Sequence, residues 1–252
     1  MRLFSPEHLA AIAATVLAAV LLTVTARRGA SDASIYSASA RVNRRIASVT
    51  TLSRALAVLV AVGFVAEQAT YAARGDWSVR VNLPLQLSDA VTLVAIAALW
   101  HPRGGLLTEL VWFWALSASL QAVLTPDLQD TFPDILYFTF FVTHSGAIAA
   151  ACLLVPGLRL APRPRAALRA LGWTAAVALL AATACLATGG NYMFLRHKPA
   201  NGSILDAFGP WPWYIAGAAV LAAAVLAVLE LIARAATRAS ETPSAAAPAG
   251  RR

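Results

Sequence analysis

Seven long apolar runs divide this chain, at roughly 8–25, 52–72, 83–100, 106–124, 134–155, 168–189 and 212–233. A helix rises about 1.5 Å per residue, so about 20 mostly apolar residues cross the ~30 Å hydrocarbon core of a bilayer. Five of the runs meet that length clearly, and those at 83 and 106 are the shortest. Prolines 84, 102, 126, 133, 156, 199, 210 and 212 mark many of the edges, where a missing N–H costs least. Charge content points the same way. Only 13% of the 252 residues are charged, against about 25% in a soluble domain. The expected fold class is all-α: a polytopic membrane protein whose seven transmembrane helices occupy residues 1–238. A tail at 239–252, rich in Ala, Pro and Ser, is expected to be disordered.

The cations give the orientation. The first run has one cation before it, Arg2, and two after it, Arg27 and Arg28. A cleavable signal carries its charge before the apolar core, so this run reads as a retained helix with its N-terminus outside. Seven crossings then put loops 26–51, 101–105 and 156–167 and the C-terminal tail in the cytoplasm. Fifteen of the 20 cations fall on that side, and Arg2, Arg74, Arg80, Arg196 and Lys198 fall outside. This is the positive-inside bias. It also accounts for the net charge of +8 without nucleic acid, and it makes membrane lipids the expected partners. The segment 34–50, with Arg41, Arg44 and Arg45, is expected to be an interfacial helix. Cys152 and Cys185 belong to opposite ends of neighbouring helices, roughly 20 Å apart in depth. That is too far for a disulfide, so two free thiols are expected.

Ionisable groups inside a span are costly, which makes them functional candidates. Glu109 and Glu230 lie near inner ends, where they can reach water. The others share the outer half: Glu67 and Gln68 on helix 2, Gln86, Ser88 and Asp89 on helix 3, Gln121 at the end of helix 4, and His144 about ten residues into helix 5. An enclosed polar pocket is expected there. His144 is the general-base candidate, because imidazole titrates near neutrality; its plain alternative is a structural hydrogen bond. Ser88 is the nucleophile candidate, with a back-bond to the Pro84 carbonyl as its plain alternative. Asp89 serves either to orient the histidine or to pair with a cation. Glu67 is expected to meet Arg80, Arg196 or Lys198. Asp127, Asp130 and Asp134 match no calcium-loop spacing, and Asp134 reads as a helix N-cap. No metal and no cofactor are expected.

One stretch stands apart, "NYMFLRHKPANGSILDAFGPWPWY", residues 191–214. It reads as the outer loop between helices 6 and 7. Trp211, Trp213 and Tyr214 suit an aromatic belt at the interface. Asn191, Tyr192, Arg196, Lys198 and Asp206 are candidate substrate-binding residues, with Arg196 and Lys198 as a clamp for a lipid phosphate or another anion. The stretch as a whole is expected to form a lid over the pocket.

Together with "LPLQLSD", "SASLQAVLTPDLQDTFPD" and "FFVTH", this stretch resembles the YwaF-type bacterial integral membrane proteins. That family is similar to an animal transmembrane acyltransferase that makes polyunsaturated ether phospholipids. The resemblance implies a multi-pass protein of the bacterial plasma membrane. It also implies a nucleophile early in helix 3 and a histidine two helices later. By motif, these positions fall on Ser88 and His144. The group's nucleophile is a cysteine, and here serine replaces it. Serine is less acidic and needs a stronger base.

Two readings follow. In the first, a membrane enzyme acts on lipid acyl groups as a transferase or hydrolase. In the second, a non-enzymatic receptor or transporter uses the same pocket to bind a small or lipidic ligand. A retinal pigment does not fit, since the single lysine, Lys198, lies in a loop.

Overall fold

The computed structural model describes residues 3–35, 40–199 and 203–238. Among them are seven membrane helices: α1 Pro6–Ile35, α2 Ala40–Arg74, α3 Leu87–Trp100, α4 Leu106–Leu124, α5 Ile135–Gly157, α6 Ala166–Thr188 and α7 Trp213–Arg238. Six are long and apolar enough to cross a bilayer. The exception is α3. Its 14 residues span only about 21 Å. The expected start at 83 is therefore corrected to 87. Pro84 disfavours helix in the residue before it, and residues 83–86 run as non-helical chain.

The loop expected at 26–51 is also corrected. Helix α1 continues to Ile35 and α2 begins at Ala40, so 40–50 is the start of α2 and no separate interfacial helix forms there. The tail at 239–252 lies outside the described residues, as do 36–39 and 200–202.

Helix α5 is the hub, packing against α1, α2, α3 and α4. Of its most apolar window 67% is buried, against 11% for α1 and 17% each for α6 and α7. The outer helices instead present Val16, Leu17, Leu179, Leu180 and Val220 at their surfaces, as lipid-facing helices do. Two glycines let α2 and α5 approach closely. A Cβ on Gly63 would meet Val142 of α5 at 2.7 Å, and one on Gly146 would run into the Val60 side chain. Small residues at such crossings bring backbones together in membranes.

Buried tryptophans and hydroxyls lock the core. Trp112 donates to the Leu229 carbonyl of α7 (3.1 Å) and Trp114 to Thr174 of α6 (2.8 Å). Ser53 of α2 donates to the Leu99 carbonyl of α3 (2.7 Å). Both cysteines are free.

The basic end carries two glutamates that do more than reach water. Glu109 is 1% exposed. It accepts from Arg163 through the backbone N–H and Nε (both 2.9 Å) and from Arg169 Nη2 (2.8 Å). Arginines that count as surface anchors in the sequence thus fold back onto α4. Glu230 of α7 accepts from the backbone N–H groups of Arg165 and Ala167 (both 3.1 Å). It thereby caps α6, whose own N-cap residue offers no side-chain bond.

Candidate functional site

Residues 83–86 enter α3 as non-helical chain, and partly buried backbone of this kind needs protein to satisfy its polar groups. Tyr192, fully buried, does this. Its hydroxyl donates to the Val79 carbonyl (2.7 Å) and accepts from the Leu83 N–H (3.1 Å). Burial pushes the Tyr192 phenol above its usual range, which keeps the donor proton in place. Gln86 accepts from the Met193 N–H (2.8 Å). Cys185 on α6 accepts from the Tyr192 N–H (3.1 Å). Met193 and Phe194 both have left-handed backbone, at φ 51° and 54°. Such conformations cost L-residues of order 1–2 kcal/mol each and gather at functional sites. The stretch at 191–195 therefore packs against the chain entering α3.

Ser88 is the second residue of α3, half-buried. Its carbonyl accepts from Thr92 (2.8 Å). Its hydroxyl has no hydrogen-bond partner among the described residues, and the back-bond to Pro84 is absent because Pro84 lies outside the helix. The backbone N–H groups of Leu87 and Ser88 also lack an acceptor among the described residues, as first-turn donors do when no cap reaches them. Asp89 accepts from the Gln86 N–H (3.1 Å), which secures the first turn. Among the described residues, neither His144 nor a cation is its bonding partner.

His144 sits on α5, about 14 Å along the helix from Ile135. Its Nδ1 lies 2.7 Å from the Phe140 carbonyl, and its ring stacks on the Phe140 ring at 4.2 Å. Donation from Nδ1 to that carbonyl leaves Nε2 as an unprotonated acceptor. Val142 and Thr143, just before His144, abut Gly63 of α2, and Glu67 lies one turn outward of Gly63. Ser88 and His144 do not hydrogen-bond to each other.

Several other expectations are redirected. Glu67 forms no ion pair among the described residues, and two of the three cations meant for it are held elsewhere. Arg196 donates to the Gly189 carbonyl (2.8 Å). Lys198 pairs with Asp206 (3.4 Å) and lies over the Tyr214 ring at 5.7 Å. Asn191 organises the turn, accepting from the N–H groups of Arg196 (2.9 Å) and His197 (3.1 Å). The Ser203 N–H, and then Lys198, hold the Asp206 carboxyl below its usual range. Gln121 is exposed and bonds to Thr125, away from this cluster. In the acidic loop Arg74 pairs with Asp134 (2.8 Å) and Asp130 (3.5 Å). Asp134 caps α5 through the Leu136 N–H (2.8 Å).

Sequence reasoning missed a feature of α4. Residues Ala115–Ser119 form a π-helical turn that packs against both α3 and α5, the helices carrying Ser88 and His144. The fully buried Ser119 hydroxyl has no hydrogen-bond partner among the described residues. Single π-turns within α-helices are frequent at functional sites, and an orphaned buried hydroxyl in a native fold calls for a reason. The motif "SASLQ" contains it, but no residue pattern announces a π-turn.

A protein-family model, that of the TMEM164 family, matches residues 3–230. No curated protein and no solved structure matches the chain.

Proposed function

The chain belongs to the TMEM164 family, and from that membership we propose that it is a membrane enzyme acting on ester-linked acyl groups of lipids. Ser88 is the nucleophile and His144 the general base. The observation that carries this reading is the pinned imidazole, with Nδ1 committed to the Phe140 carbonyl and Nε2 left as a base. The resemblance of "LPLQLSD" and "FFVTH" to the acyltransferase-related group supports the same two residues.

In the reaction, Ser88 Oγ forms a bond to the acyl carbonyl carbon while His144 Nε2 takes the hydroxyl proton. The negative charge on the carbonyl oxygen is met by the unpartnered N–H groups of Leu87 and Ser88, at the positive end of the α3 dipole. The ester C–O bond then breaks, and the leaving alkoxide takes the proton from His144. A second hydroxyl, from a lysolipid in transfer or from water in hydrolysis, attacks the acyl-serine by the reverse route. His144 acts on the Ser88 hydroxyl through one bridging water, since a general base acts through one water as well as directly. Asp89 is a positioning residue here, holding the first turn of α3. Tyr192 and Gln86 hold the lid.

The test is covalent labelling of the purified full chain with a lipid fluorophosphonate, which traps an activated serine. Wild type labels, and Ser88→Ala and His144→Ala each abolish labelling. Labelling that survives Ser88→Ala overturns the reading.

A further inference from the structure

The basic end of the bundle holds a second site, unrelated to Ser88 and His144. Between α6 and α7 lies a cavity of about 390 Å³, within the size range of small-molecule sites. It is lined by the apolar side chains of Leu171, Ala223, Leu226 and Ala227 together with Arg165, Glu230 and Arg234. Leu168 and Leu231 flank it at 66% and 65% exposure, so it opens toward the acyl region of the bilayer.

The charge in this cavity has a definite sign. Glu230 is occupied by the Arg165 and Ala167 N–H groups and by Arg234. The Arg165 guanidinium has no acceptor among the described residues. Close by, Arg163 and Arg169 share the one carboxylate of Glu109. Cations therefore exceed carboxylates at this end, beside an apolar cleft. A soluble anion would make no use of the cleft. A second copy of the chain would bring its own arginines against these.

We propose that the α6–α7 cleft binds an anionic phospholipid of the cytoplasmic leaflet, its phosphate between Arg165 and Arg234 and an acyl chain over Ala223 and Ala227. Basic pockets between membrane helices on the cytoplasmic side take such headgroups. The Glu230 carboxylate stays on the α6 N-terminus and away from the phosphate.

Native mass spectrometry of the full chain, released from detergent with added phosphatidylglycerol or phosphatidylcholine, tests this. One saturable phosphatidylglycerol adduct is expected, about fivefold or more favoured over phosphatidylcholine. Arg165→Asn, which tolerates the left-handed backbone at that position (φ 62°), weakens the adduct about fivefold. Ala227→Phe fills the cleft from an exposed position and removes the adduct, with the melting temperature in lipid-free detergent unchanged. Equal retention of the two lipids, or an adduct that survives both substitutions, overturns the proposal. So does a dimer that Ala227→Phe dissociates, because the occupant is then a second copy.

Discussion

The imidazole of His144 is fixed by the residue one turn before it: Nδ1 lies 2.7 Å from the Phe140 carbonyl, and the two rings stack at 4.2 Å. The fully buried His8 is different. His8 uses both ring nitrogens, accepting from the Phe4 N–H at Nδ1 and meeting the Val123 carbonyl at Nε2, each at 2.9 Å. His8 is a satisfied structural pin between α1 and α4. His144 keeps one nitrogen in reserve, and the predictions about chemistry follow from that difference.

Phe140→Leu keeps the backbone carbonyl but removes the stacked ring. The imidazole gains freedom, and small misplacements of a catalytic group are expensive. The rate of fluorophosphonate labelling falls about tenfold while the thermal unfolding midpoint moves little. An unchanged rate means the stack does not position the base.

Ser88→Cys places a more acidic nucleophile at the start of α3. A thiol ionises near pH 8.5 and less readily attacked reagents yield to its thiolate. The variant acquires labelling by a membrane-permeant maleimide that wild type lacks at that site, identified by peptide mapping, and the labelling rises from pH 7 toward pH 9.

Glu109→Ala strands Arg163 and Arg169 beside an emptied site. Removing one member of a charged hydrogen-bonded cluster costs about 2–3 kcal/mol, discounted here because both guanidiniums reach solvent. Thermal unfolding in detergent reads this loss. Glu230→Gln keeps one acceptor for the α6 N-terminus and costs less.

Gly146→Ala drives a methyl into Val60, and overpacking of this kind costs about 1–3 kcal/mol. Val60→Ala in the same chain makes the space. The double variant is then more stable than Gly146→Ala alone, a coupling that only contacting residues show.

The Lys198–Asp206 loop carries a pH dependence. The Asp206 carboxyl is held below its usual range by the Ser203 N–H and by Lys198. A depressed carboxyl contributes stability above the ordinary Asp range, near pH 4, and loses it as pH falls through the lower folded value. Amide protection factors at Ser203 and Leu205 drop in that acid window, and Asp206→Asn removes the step.

Apolar run lengths and the placement of arginines were enough to read seven helices, the basic end and two separate thiols, because bilayer thickness and surface charge act on each segment by itself. The same is true of Asp134 as a cap, which is a matter of local spacing. The grouping of Gln86, Tyr192 and Met193 over the start of α3 was legible only as a suspicion about an odd loop. Tertiary structure decided the rest. Glu109 looked solvated but is buried, because two arginines 54 and 60 residues away return to it. Arg196 and Lys198 looked like partners for Glu67, yet the loop's own carbonyl and carboxylate reach them first. The π-turn at Ala115–Ser119, the Gly146–Val60 crossing and the reserve nitrogen of His144 depend on which helix lies beside which. Hydropathy sets how many times the chain crosses the membrane, and packing between crossings sets which polar groups meet.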